Sequence, residues 1–423
     1  MNTGATPSPT QAGSNPAAEE SPLVFGARCA ALALLLSALA GSVCAAFARS
    51  LDLATTLRFA HPAWLFAAPA IAILTTAVYR RHPDQSVRGN DLVFERINQQ
   101  NGGIPQRMAP LVFFTSTAAH LCGASVGREG AAVQIAGGLA ASLQWLFRLH
   151  SRYQRPLLLS GVAAGFGAIF GTPLAAAVFA IEGPNPKHWR LRFLPLCLLS
   201  GFAGDAACRA WGTHHAAYAA VLPNWNEALQ PPFVAALLLM SLCSGWIARL
   251  YLWLAETLKT LFARARHWWV PPLLAGTALA LLAQFPIMTD SLGLGVWSSN
   301  PDAVTLGSAF QPGGAHPWSW LLKLTLTALC LSGGFKGGEV TPLFFVGATF
   351  GNILASILGT EPAAFAALGF VAVFAAASHT PVAGIFLAAE LFGVQGIPWF
   401  ALVCLVASRT CGKRSLFPSQ SRA

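Results

Sequence analysis

The residues best placed to do chemistry lie in the run Val126-Gly127-Arg128-Glu129-Gly130. The glycines read as a tight turn, and the uncharged residues 131–147 after it read as a helix. A helix start carries unpaired N–H groups and about half a positive charge, so it attracts an anion. Glu129 can fill that site with its own carboxylate and leave it on protonation, which would couple anion movement to proton movement. Ordinary capping is the plainer reading. Arg128 stays charged and reads as a structural or field-setting partner rather than a proton carrier. A second glycine-rich turn, Gly337-Gly338-Glu339-Val340-Thr341-Pro342, also opens an apolar helix. Glu339 reads by itself as a capping acid paired with Lys336. Glu182 and Glu390 close apolar runs and read as structural helix-end acids. His120 and His379 read as buried neutral imidazoles rather than proton relays.

The elements that position these residues are apolar helices. Of 423 residues, 55% are hydrophobic and 10% charged, against about 25% charged in soluble domains. Spans of about 20 apolar residues cross a bilayer. Candidates lie near 23–48, 61–79, 108–124, 131–147, 156–182, 191–208, 232–262, 270–288, 318–332, 341–358, 362–378, 381–394 and 397–408. Inside such segments an ionisable group costs about 2.5–3.5 kcal/mol on insertion scales and is usually functional, which favours a working role for Glu129.

The net charge of +10 follows topology rather than a nucleic-acid partner. Basic residues cluster in short loops, such as Arg148, Arg152 and Arg155, or Lys187, Arg190 and Arg192. The loop 285–320 has no Lys or Arg. The positive-inside rule places the basic loops and both termini in the cytoplasm and this loop outside. Nine cysteines, mostly in apolar runs, show no metal or disulfide spacing. Residues 1–22 read as a disordered tail, 23–410 as one transmembrane domain, and 411–423 as a short cytoplasmic tail with no regulatory domain after it.

The domain reads as two repeats, about 60–210 and 270–410. The run ending at Glu182 contains Thr172-Pro173, and the run ending at Glu390 contains Thr380-Pro381. A glycine-rich turn precedes each, at an offset near 210 residues. Proline removes a donor and pushes the preceding residue out of helical angles. In lipid such a break survives only where it is buried in protein or lines a cavity. Matched breaks in two halves point to a transport site near the membrane centre. Gly161 and Gly165 form a small-xxx-small packing pair.

At this point the chain resembles the CLC chloride channel and transporter family. Gly127-Arg128-Glu129-Gly130 opens one helix, and a Pro-ended glycine turn follows about 210 residues later. The stretches Ile104 to Leu111, His120 to Gly130 and Gly333 to Phe345 resemble its fluoride-transporting branch more narrowly. The resemblance covers roughly residues 60–420. It implies an all-α polytopic membrane protein of two inverted-topology repeats with broken and re-entrant helices.

The resemblance also implies site residues. Chloride-type members carry Gly-Ser-Gly-Ile-Pro at the first anion turn, where this chain has Gly89-Asn90-Asp91-Leu92-Val93. Asn90 offers two amide donors in place of serine. Gly127, Arg128 and Gly130 belong to the second turn. Val340 stands where chloride-type members have Phe, and Glu339 and Thr341 are typical of the fluoride branch. Gly183 stands where chloride/proton exchangers carry an inner glutamate. Two departures are Ala131, where the branch usually has Thr, and Phe417, in place of a tyrosine that reaches the central anion.

The expected function is a fluoride/proton antiporter exporting fluoride, with Glu129 as gate and Glu339 as helper in proton coupling. The alternative is a passive chloride or fluoride channel, or a chloride/proton antiporter, on the same fold. An intramembrane enzyme would need a nucleophile elbow, paired aspartates or a His-Glu-x-x-His run, and none is present. No cofactor or metal is expected. The resemblance implies a homodimer, a bilayer environment and the bacterial inner membrane.

Overall fold

A computed structural model describes residues 20–81, 84–99, 102–215, 218, 220, 222 and 230–421. Among the described residues the architecture is helical, with one isolated antiparallel bridge joining Gly127 to Gly338. The first half comprises α1 (Pro22–Ala60), α2 (Ala68–Arg81), α3 (Asn90–Gln99), α4 (Met108–Leu121), α5 (Glu129–Leu146), α6 (Gln154–Phe170), α7 (Pro173–Glu182) and α8 (Leu194–Ala210). The second comprises α9 (Pro231–Ala263), α10 (Val270–Leu282), α11 (Ser319–Ser332), α12 (Val340–Leu358), α13 (Pro362–Ser378), α14 (Pro381–Phe392) and α15 (Ile397–Cys411).

Six helical stretches are long and apolar enough to cross a membrane: Pro22–Ala60, Pro62–Arg81, Leu191–Ala210, Pro231–Ala263, Val340–Leu358 and Val394–Cys411. Several of the remaining helices are short and apolar. The expected tail at 1–22 lies outside the described residues up to position 19. From Glu20 onward the chain is held: Glu20 pairs with Arg28 (2.6 Å), Arg152 and the Tyr153 hydroxyl (2.7 Å). Pro22 then starts α1, a position that suits its fixed φ and missing donor.

The expected run 156–182 is two helices. Gly171 ends α6 in the left-handed region (φ 75°), Thr172 leaves helical angles (φ −126°, ψ 75°), and Pro173 opens α7. The second half repeats the device: His379 closes α13 at φ 54°, Thr380 leaves helical angles (φ −124°, ψ 64°), and Pro381 opens α14. The two short helices then clasp each other. Glu182, at the end of α7, accepts from Val382 N (3.2 Å) and Ala383 N (2.7 Å) at the start of α14. Glu390, near the end of α14, accepts from Leu174 N (2.9 Å) and Ala175 N (2.8 Å) at the start of α7. The exchange requires the helices to run antiparallel, as inverted repeats demand. The helix-end acids are structural, but each serves the opposite repeat.

Small residues set the spacing inside the bundle. A Cβ on Gly161 or Gly165 would meet the Ala136 or Ala132 carbonyl at 3.0 or 2.7 Å, so α6 lies directly against α5. α13 is buried along almost its whole length, and its Phe370 stacks on Phe344 of α12 at 4.0 Å between ring centroids.

The segment after α15 is docked rather than free. Leu416 N donates to Ala377 O (2.9 Å), Ser419 N to Asp91 Oδ1 (2.6 Å), and Gln420 Nε2 to Gly183 O (2.6 Å) and Ser378 O (3.0 Å). The reading of 411–423 as a simple tail therefore needs correction as far as Ser421. Four hydrogen bonds and a buried Phe417 fix it to the helices around it.

Candidate functional site

The two glycine-rich turns meet at the centre of the molecule. Gly127 N donates to Gly338 O (2.6 Å) and Gly338 N to Gly127 O (2.7 Å), so the starts of α5 and α12 are joined backbone to backbone. The approach needs glycine. A Cβ on Gly127 would lie 2.9 Å from Pro342 Cδ, and one on Gly130 would lie 3.0 Å from Gly338 Cα and 2.8 Å from Asn90 Nδ2. Beside the bridge, the Ser125 and Thr327 hydroxyls share a buried hydrogen bond of 2.9 Å.

Glu129 is buried, at 1% exposed. The sequence suggests that its carboxylate sits at its own helix start. It sits instead on the facing one: Oε2 accepts from Thr341 N at 3.1 Å and from the Thr341 hydroxyl, in the first turn of α12. The backbone bridge between Gly127 and Gly338 brings the start of α12 within reach of this side chain. Arg128 Nε lies 3.4 Å from Glu129 Oε1, a loose ion pair.

The opposite arrangement is absent. Glu339 stands at the N-cap of α12 but makes no side-chain capping bond, and neither does Arg128 at the N-cap of α5. Lys336 lies over the Tyr79 ring (4.8 Å) and near Val87 O (3.4 Å) rather than within ion-pair distance of Glu339. One helix start is thus occupied by a carboxylate, and the other offers its donors.

Asn90 opens α3 and is mostly buried beside Gly130, with Oδ1 lacking a partner. Gly89 holds φ 59° just before it, and a Cβ there would meet the Gln134 amide at 3.2–3.3 Å. The sequence analysis does not single out Gln134, one of three polar residues in the run 131–147 with Ser142 and Gln144. The turn before Gly89 is braced by Asp84, which pairs with Arg107 and accepts from Ser86 N (2.9 Å). Burial works against the charge of Asp84, yet the bonds from Ser86 and Arg107 hold its carboxyl below the ordinary range.

Phe417 is buried against Phe94 (4.6 Å between centroids) and Phe179 (6.3 Å). Phe94 is one turn along α3 from Asn90, so this ring backs the turn at Gly89 and Asn90. Val340 is buried in the first turn of α12. At Gly183 a Cβ would lie 3.2 Å from the Phe94 ring and 2.7 Å from Phe179 O, which leaves no room for an acid. His120 Nδ1 lies 2.7 Å from Ser116 O, and His379 Nε2 lies 2.7 Å from Arg414 O. Both rings are tied to backbone carbonyls. Among the described residues no group of three or more His, Cys, Asp or Glu is placed to hold a metal.

Glu129, Arg128, Gly127, Gly130, Asn90, Gly89 and Thr341 therefore converge on one small region. Glu339 and Val340 flank it. Phe417 stands behind it, in contact with α3.

Comparison with known proteins identifies the family and the fold. The family model for voltage gated chloride channels matches residues 69–412. A chloride/fluoride channel protein of Pseudomonas syringae pv. tomato is 37% identical over 94% of this chain and 87% of its own. An H(+)/Cl(-) exchange transporter of Vibrio cholerae is 27% identical over 67% of this chain and 62% of its own. The crystal structure of a CLC-type fluoride/proton antiporter superposes with a TM-score of 0.87 at 32% identity, covering 95% of this chain and 99% of that one. A slow cyanobacterial Cl-/H+ antiporter shares the fold, with a TM-score of 0.73 at 18% identity. The chain belongs to the voltage-gated chloride channel (CLC) family.

Proposed function

We propose that this protein is a fluoride/proton antiporter that exports fluoride, with Glu129 as its protonatable gate. The observation that carries the reading is the Glu129 carboxylate held by Thr341 N and Oγ at the start of α12. An ionised carboxylate there holds the donors an incoming anion would need. Protonation weakens those bonds, the side chain withdraws, and fluoride takes its place. Fluoride gives up hydration reluctantly, and Thr341 Oγ, Thr341 N and the Asn90 amide are hydrogen-bond donors that can replace it. Gly89, Gly127, Gly130 and Val340 shape this pocket, Arg128 sets its field, and Phe417 supports the Asn90 side. Glu339, half-buried beside the gate, is the second proton-handling acid; Gly183, where exchangers carry theirs, has none.

The Pseudomonas syringae relative, described as a channel, gives the second reading, passive flux through the same site. Reversal potentials in liposomes across a pH gradient decide between them. A potential that ignores pH removes the antiporter. Exposed apolar side chains on α8, α14 and α15, among them Phe202, Phe386 and Leu405, suit a homodimer interface. The basic loops support a bacterial inner-membrane protein with both termini cytoplasmic.

A further inference from the structure

Two buried cations lie apart from the gate, where the 285–320 loop enters the bundle. Lys323, in α11, is fully buried; its Nζ donates to Gly293 O (2.6 Å) and Ser291 O (3.1 Å). The Phe345 ring lies 5.4 Å from it. Arg58, near the end of α1, is 6% exposed, and its Nη1 has no hydrogen-bond partner.

Both groups reach the same residue. A Cβ on Gly293 would lie 2.7 Å from Arg58 Nη1, while the Gly293 carbonyl accepts from Lys323. Gly293 sits at φ 58°, and its N–H donates to Gly123 O (3.0 Å) in the turn after α4. A Cβ on Gly123 would also lie 3.3 Å from Arg58 Nη1. The two cations therefore flank one loop glycine tied to the segment that leads into Glu129. Neither has an acid within ion-pair distance among the described residues. His120 nearby is no substitute: with Nδ1–H given to Ser116 O, its neutral ring offers no donor at Nε2.

Two like charges without a carboxylate repel, and each has lost hydration. An anion between them removes both penalties, and the unspent Arg58 donor and the third Lys323 proton are what it would bind. We propose that Arg58, Lys323 and the Gly293 turn form a second station for a small inorganic anion, on the 285–320 loop side of Glu129. The station receives the anion leaving the gate, and it rests on the reading of the chain as an anion transporter.

The test is titration of the purified full chain with sodium fluoride and, separately, sodium chloride. Arg58→Met should raise the dissociation constant of one binding event at least tenfold, whereas Arg58→Lys should stay within about threefold. Proton-to-anion stoichiometry in liposomes should be unchanged in Arg58→Met, which separates failure of the station from failure of the antiport reading. Binding by Arg58→Met that matches the unaltered protein in number and affinity overturns the proposal. If that variant does not assemble, crystals of the unaltered protein soaked in sodium bromide put the same question. An anomalous peak beside Arg58 Nη1 and Lys323 Nζ supports the station, and its absence there overturns it.

Discussion

Two junctions in this molecule use the same chemistry differently. At one junction, α7 and α14 exchange carboxylates: Glu182 satisfies the start of α14 and Glu390 the start of α7, with two backbone N–H bonds each. At the centre, α5 and α12 exchange only backbone bonds between Gly127 and Gly338. There the carboxylate contact runs one way, from Glu129 to Thr341, and Glu339 does not return it. A reciprocal pair fills every donor it meets and acts as a clasp. A one-sided pair leaves one helix start open to an anion and one carboxylate able to yield its place. The lesson is that symmetry builds the scaffold and its breaking makes room for transport.

The sharpest way to break this contrast is Glu129→Gln. It should abolish proton movement coupled to anion, at least a tenfold loss in proton flux recorded beside fluoride efflux, while the protein stays folded. Stoichiometric coupling in that variant would contradict the gate. Thr341→Val should follow, raising the fluoride concentration for half-maximal flux by about tenfold or more, since one hydrogen bond to a charged group contributes about 1.5–3 kcal/mol and each 1.4 kcal/mol is tenfold. Glu182→Ala and Glu390→Ala test the clasp. Each should cost about 1 kcal/mol of stability, in the range for lost helix caps, with coupling stoichiometry intact in liposomes. A change in stoichiometry would move these acids from the clasp to the proton path. Asn90→Ser should lower the fluoride-to-chloride flux ratio severalfold. Phe417→Tyr should have the smallest effect, under about threefold on fluoride affinity, because the ring packs on Phe94 rather than on Glu129.

Much of the site was legible before the fold. The glycines around Glu129 announced a tight turn, and Thr172-Pro173 with Thr380-Pro381 announced paired breaks, because glycine and proline act on the backbone locally. Where Glu129 points was not legible, since its partner lies about 210 residues away and local geometry names no direction. Gln134 and Lys323 were passed over for a related reason. A single polar side chain in an apolar helix shows that something is satisfied there, but not by what. The docked C-terminal segment is the clearest miss. Its composition reads as a loop, and only the Asp91, Gly183 and Ser378 acceptors around it make it part of the core.

By itself the sequence determined a membrane-embedded, twofold repeated helical chain with an acid at a glycine-rich helix start, because those properties follow from solvent preference and backbone chemistry residue by residue. The tertiary structure alone decided which start that acid occupies, which acids pair across the repeats, and that Arg58 and Lys323 share one glycine. Each of these is a contact between segments far apart in the chain, and its geometry exists only once the two halves are packed.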